Sequence, residues 1–315
     1  MVMKALLAGT LLSSALVLTL VGCGGEDPAT PEVSQADLED VVLTTFYPTT
    51  YFARRIAGDE VPVECLVPEG EDPIFWDPSR EALARYTSAK LVVVNGAKFE
   101  KWVTRASLPN SRVVDSAASF KDRFVKYDLG ITHSHGPGGE HSHEGTDGHT
   151  WVDPKNAIDQ SLAIADAMAR AWPEKADSFE ANLPGLVADL ESLHTRFTDE
   201  ITPSLEGFKL LASHPAYNYL ESRYGWEITD LDLDPDEGLT EQAIAEINEG
   251  IGDFEGTVVL LWESEPAIDP EIVYPFRNVT FSPAELPVTG AAIGSPDYIG
   301  IMNANIDRLR DALAE

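Results

Sequence analysis

Four short runs of consecutive apolar residues punctuate the chain: Val41-Val42-Leu43, Leu91-Val92-Val93-Val94, Leu210-Leu211-Ala212 and Val258-Val259-Leu260-Leu261. Short unbroken runs bounded by polar residues predict strands of a parallel sheet, buried on both faces. Helical patterns separate them. "SREALARY" follows Pro78, with Ser79 as its N-cap. Asp153-Pro154 is a helix start, a capping carboxylate followed by proline at the first helical position. Ile158, Leu162, Ala165 and Ala169 then share one face, and Pro173 ends or kinks the helix. A longer stripe follows at Phe179, Leu183, Leu186, Leu190, Leu193, Phe197 and Ile201. It predicts a helix crossing the molecule, kinked at Pro184-Gly185. His194 lies beside that stripe and reads as a structural or surface histidine.

Alternating strands and helices predict an α/β protein. The layout is two α/β lobes with parallel sheets: an N-terminal lobe over 39–172, a connecting helix over 173–204 and a C-terminal lobe over 205–315. Ligands of open α/β sheets sit beyond the carboxyl ends of the strands. Polar residues just after strands, facing a cleft between the lobes, are therefore the candidates.

The first residues, "MVMKALLAGTLLSSALVLTLVGCGG", place one lysine before an apolar run that ends in small residues. This is the layout of a secretory signal. Leu20-Val21-Gly22-Cys23 resembles a bacterial lipobox, which implies a leader over 1–22 and a lipid on Cys23. The acyl chains would hold the chain on the outer side of a membrane. Residues 23–38, rich in Gly, Pro and acids, read as a flexible leash. Cys65 is then the remaining thiol, too few for a disulfide framework or a cysteine zinc cluster, and reads as a small buried hydrophobe.

Charge narrows the partners. The formal net charge is −31, and repulsion from phosphates excludes nucleic acid. Diffuse acidity is not itself a binding site. A monomer accounts for the pattern.

The histidines carry the candidate chemistry. Five of seven fall within "THSHGPGGEHSHEGTDGHTW": His133, His135, His141, His143 and His149. The first four lie in a Gly-rich segment that reads as strandless. His149 instead precedes the Asp153-Pro154 helix start, and His214 directly follows the strand "KLLA". Imidazole nitrogen is a common zinc ligand. Two such residues from separate lobes would let a metal bridge the cleft.

Several segments together resemble one family. "DGHTWVDPKNA", "SHPAYNYLESRYG", "YPTTYFARRIAGD", "LVPEGEDPIFWDPS", "AKLVVVNGAKFEKW" and "YIGIMNANIDRLRDAL" are similar, in order and position, to segments of the substrate-binding lipoproteins of bacterial zinc and manganese ABC importers. The resemblance covers the chain beyond the leash. It implies metal held between two lobes, with His149 and His214 as ligands, and delivery to a permease driven by a separate ATPase. It implies a histidine ligand where this chain has Ile74, whose side chain cannot coordinate. It also implies a late carboxylate, for which Glu285 is favoured over Glu263; Glu265 and Ser282 are the other candidates. The tract of His133, His135, His141 and His143 resembles the histidine tracts of zinc-handling members and reads as auxiliary metal capture.

Imidazole-rich sites favour zinc over manganese, which prefers carboxylate and water. The expected function is thus an extracytoplasmic, lipid-anchored zinc receptor without enzymatic activity. A zinc-dependent hydrolase is the alternative from another class, although no HExxH helix or Gly-x-Ser-x-Gly elbow is present. A metal-binding or adhesion lipoprotein without a transporter is the third.

Overall fold

The computed structural model describes residues 38–127, 132–134, 140–142, 145–269, 272–285 and 297–314. The leader, Cys23, nearly all of the leash, His135 and His143 lie outside the described residues.

Strands β1 (Glu39–Thr44), β2 (Val63–Cys65), β3 (Ala89–Val94) and β4 (Val113–Asp115) form one parallel sheet in the order β2-β1-β3-β4. Helices α1 (Tyr47–Ala57) and α2 (Arg80–Ser88) supply crossovers. The Ser79 hydroxyl caps α2 by accepting from Ala82 N at 3.2 Å.

Four short strands follow. β5 (Lys126–Tyr127) pairs antiparallel with β8 (Gly145–Thr146), and between them β6 (Thr132–Ser134) pairs antiparallel with β7 (Glu140–Ser142). The expectation of a strandless histidine segment is therefore corrected. A two-stranded ladder places His133 opposite His141 in register.

Helix α3 (Pro154–Ala171) starts as its sequence signal requires, with Asp153 Oδ1 accepting from Lys155 N at 2.9 Å. Its buried face includes the expected Ile158 and Ala165, but not Leu162. Leu162 is 46% exposed, whereas Ala157, Ser161, Ile164 and Met168 are buried. The face turns toward Gln160 and Ser161 because Gln160 reaches Asn95 and Ser116 of the first lobe. Helix α4 (Ala176–Arg196) follows a 3-10 turn at Pro173–Lys175 and runs on through Pro184. A π turn at Phe197–Ile201 and a 3-10 turn at Thr202–Leu205 prolong it. Its stripe is fully buried at Phe179, Leu186, Leu190, Leu193, Phe197 and Ile201.

The second sheet comprises β9 (Phe208–Ala212), β10 (Ile228–Asp230), β11 (Thr257–Trp262) and β12 (Arg277–Thr280), with α5 (Asn218–Tyr224), α6 (Glu241–Ile251) and α7 (Tyr298–Ala314). It is parallel, in the order β10-β9-β11-β12, which repeats the order of the first sheet.

Strand alternation explains the core. Val42, Leu91 and Val93 of the first sheet, and Leu210, Ala212, Val259 and Leu261 of the second, join α1, α3, α4 and α7 in one cluster. The alternate residues Val41, Leu43, Val92 and Val94 pack with Tyr86 and Trp102 on the outer face of the first sheet. Leu211, Val258, Leu260 and Trp262 do so with Ala243 and Ile247 of α6. A single core therefore spans both lobes, and the carboxyl ends of the strands face each other across it.

Candidate metal centre

Three loops, each leaving an ordered element, bring the candidates together. His214 comes two residues after β9. That exit is fixed by Ser213 N donating to Leu261 O at 2.8 Å, and by Leu231 N and Leu233 N donating to Ala212 O and Ser213 O at 2.8 and 3.0 Å. His149 lies between β8 and α3. Asp147 N donates to Val125 O at 2.9 Å, Asn95 Nδ2 donates to Gly148 O at 2.8 Å and Thr150 Oγ1 donates to Asn95 Oδ1 at 3.0 Å. Asn95 itself follows β3 directly. Glu285 lies in the segment after β12. That segment is held by Ser282 N on Asn305 Oδ1 at 3.1 Å, Asn305 Nδ2 on Ser282 O at 2.6 Å and Trp151 Nε1 on Pro283 O at 2.7 Å. Ala284, fully buried with φ 59°, takes the left-handed turn that aims Glu285 inward.

The result is a direct contact across the lobes: His149 Nε2 stands 2.9 Å from Glu285 Oε1. The His149 and His214 rings lie 5.5 Å apart, tilted 77° to one another. Both histidines are buried, and Glu285 is 22% exposed. Two ligands sharing a tetrahedral zinc sit roughly 3.3 Å apart, given bonds of about 2.0–2.1 Å. The His149–Glu285 pair thus needs to open by only a few tenths of an ångström to admit the ion. Among the described residues no three His, Cys, Asp or Glu side chains stand as a complete shell. A metal bound by all three residues therefore requires His214 to approach.

Electrostatics prepare the pair for a cation. Burial alone would push the His149 imidazolium toward losing its proton. The Asp147 carboxylate, 2.7 Å from Nδ1, and Glu285 outweigh burial and raise its pKa well above the ordinary range. Asp147 is itself fully buried, yet its pKa is lowered: burial, which favours the neutral acid, is overcome by His149 and by the donors around it. This environment favours the protonated imidazole, and a metal entering at Nε2 would have to displace a proton there. Asp230 adds a further acid. Burial, then Glu221 and Asp147, raise its pKa to about 7, against the pull of His149.

The other sequence candidates sit as follows, with Glu263 beside the His214 loop. Glu263 follows β11, with its N–H donating to Ser213 Oγ at 3.4 Å. Glu265 is held by Thr280 Oγ1 at 2.7 Å. Ser282 Oγ accepts from Ala284 N at 3.2 Å, which employs it in the turn. Ile74 packs against the main apolar cluster. His194 meets the Tyr224 hydroxyl at 3.0 Å, stacked on its ring. Cys65 is half-buried, and burial raises its thiol pKa. Sequence reasoning missed Asp147, Asn218 and Asp230. Asp147 did carry a signal: an aspartate two residues before a histidine at a helix approach can accept from both its backbone and its ring.

The chain is 25% identical over 323 residues to the zinc-binding lipoprotein AdcA of Streptococcus pneumoniae, a match covering 95% of this chain and 60% of that protein. It thus spans about three-fifths of that relative's length. It is 24% identical to the high-affinity zinc uptake system protein ZnuA of Bacillus subtilis, over 97% of both chains. In fold it resembles the Zn(II)-bound ZnuA-like domain of Streptococcus pneumoniae AdcA, with a TM-score of 0.70 and 23% identity over 88% of this chain and 100% of that one. The family model for zinc-uptake complex component A, periplasmic, matches residues 42–312, and the chain belongs to that family, the ZnuA family.

Proposed function

We propose that this chain is an extracytoplasmic zinc receptor. It binds the ion between its lobes on His149, His214 and Glu285 and delivers it to an ABC permease driven by a separate ATPase. The observation that carries the reading is the 2.9 Å contact between His149 Nε2 and Glu285 Oε1, with His214 beside it in the cleft. Family membership and the names of the relatives, both zinc proteins, support the choice of ion. Two imidazoles favour zinc over manganese. The protein carries out no chemistry; it takes up the ion as cargo and releases it, as a monomer.

Anchoring by a lipid on Cys23 completes the proposal. Among the described residues no helix is long and apolar enough to cross a membrane. The tract of His133, His135, His141 and His143 leads directly into His149 and is proposed to capture zinc and pass it inward. Tethering gives these imidazoles a high effective concentration at the site. With Ile74 where a histidine ligand is expected, a tract histidine, water, Glu263 or Ser282 takes the fourth position.

Metal analysis of the purified protein, with competitive titration by zinc and manganese, tests the reading. One zinc per cleft, bound more tightly than manganese, is expected. Equal or tighter manganese binding overturns the assignment of the ion.

A further inference from the structure

Asp147 belongs to none of the assigned metal-binding residues, yet it touches both lobes. Its Oδ1 accepts from the His149 backbone N–H at 2.9 Å and lies 2.7 Å from His149 Nδ1. Its Oδ2 accepts from Asn218 Nδ2 at 3.0 Å, and its backbone carbonyl accepts from the Tyr219 hydroxyl at 2.8 Å. Asn218 and Tyr219 open α5, the helix that begins just after His214. Further along the same helix, Arg223 pairs at 2.8 Å with Asp153, at the far end of the His149 loop. A short helix of the second lobe therefore carries one histidine at its entry and grips the loop of the other.

We propose that Asp147 is a positioning residue for the metal site and that α5, through Asn218 and Tyr219, couples it to the arrangement of the lobes. The proposal rests on the reading of His149 and His214 as zinc ligands. An ionised carboxylate only accepts hydrogen bonds, so Asp147 holds a proton on Nδ1 and leaves Nε2 as the atom offered to the metal. The ring is thereby locked facing Glu285. When α5 moves away with His214, the Asp147 carboxylate loses Asn218 and its backbone carbonyl loses Tyr219. A fully buried carboxylate cannot stay partly satisfied without cost, so its grip on the His149 ring is disturbed. Separation of the lobes thus loosens both histidines at once, one directly and one through Asp147.

The experiment is a double-mutant cycle read by zinc affinity, using competition with a chromophoric chelator. Its variants are Asn218→Ala, Tyr219→Phe, Asp147→Ala and Asp147→Ala combined with Asn218→Ala. Thermal melts of the metal-free proteins serve as folding controls. Removing a group that supports a metal ligand weakens binding about 10- to 100-fold. We expect losses in the lower part of that range for Asn218→Ala and Tyr219→Phe, and in the upper part for Asp147→Ala. The double variant should bind no more weakly than Asp147→Ala alone, because Asn218 acts through Asp147. In nitrogen-15 spectra of the zinc-loaded protein, the His149 Nδ1–H proton should exchange faster in every variant, which a purely structural role would not produce.

Additive losses, or unchanged affinity and exchange in the α5 variants while the parent binds zinc, overturn the coupling alone. A parent that binds no zinc in the cleft overturns the site assignment as well. If Asp147→Ala does not fold, Asn218→Ala and Tyr219→Phe decide the question by affinity and proton exchange.

Discussion

His149 Nε2 and Glu285 Oε1 meet at 2.9 Å, the first from the loop before α3 and the second from the segment after β12. In the proposed site the metal would enter at this contact. Replacing either side chain removes a ligand and leaves its partner buried. His149→Ala and His214→Ala should each weaken zinc binding by at least about 100-fold, or ~2.8 kcal/mol. Glu285→Gln, which keeps the shape and loses the charge, should cost less than either. Isothermal titration against a competing chelator measures all three. A His214→Ala variant with parental affinity would remove His214 from the site.

Zinc uptake should release protons at neutral pH. Asp147 and Glu285 raise the His149 pKa, so its imidazole carries a proton that the metal must displace. Apparent affinity should therefore keep rising with pH above the ordinary histidine range near 6.5. Titration in buffers of different ionisation enthalpy reads the proton count. Zero net release at pH 7.5 would contradict a protonated His149 imidazole.

Asp230 should make the metal-free fold less stable as the solution becomes alkaline. Its folded pKa is raised to about 7 from 3.8, so the folded state holds this proton more tightly than the unfolded chain does. Its contribution is fully present below pH 3.8 and is lost as pH rises through about 7. Asp230→Asn, which cannot ionise, should raise Tm at pH 8 and leave it unchanged at the acid end. An equal shift at both pH values would place the effect in packing.

Ala284 holds a left-handed conformation with φ 59°. A Cβ there costs about 1–2 kcal/mol, so Ala284→Gly should not lower Tm. Ala284→Val adds branched bulk at a fully buried position and should cost roughly 1–3 kcal/mol, with loss of zinc affinity as Glu285 swings away. Denaturant melts paired with zinc titration check both.

The histidine tract should affect capture rather than fold. Replacing His133, His135, His141 and His143 together with serine should slow zinc association, measured by stopped-flow, and leave the melting curve of the metal-free protein unchanged. Parental rates and affinity would reduce the tract to a solvated connection.

Periodicity along the chain determined the class of fold. The four apolar runs are β1, β3, β9 and β11, because strands buried on both faces must be apolar throughout. The stripe at Phe179, Leu186, Leu190, Leu193, Phe197 and Ile201 is buried along α4 and the π turn that prolongs it, because local spacing sets which residues share a helix face. His149 and His214 stood out because each adjoins a recognisable element boundary. Tertiary structure decided the rest. Leu162 has the right spacing for α3, yet the buried face is set by Gln160 reaching Asn95 and Ser116, partners that no local pattern reveals. That both sheets share one strand order is invisible in a sequence without an evident repeat. Asp147 looked like one acid among many, and only folding placed it against His149, Asn218 and Tyr219 at once. Glu285 could be favoured over Glu263 but not placed, since its direction depends on the turn at Ala284 and on Trp151 and Asn305 holding the segment that carries it. Short-range periodicity records which surfaces are buried; the meeting of charged groups from distant loops is a property of the packed chain.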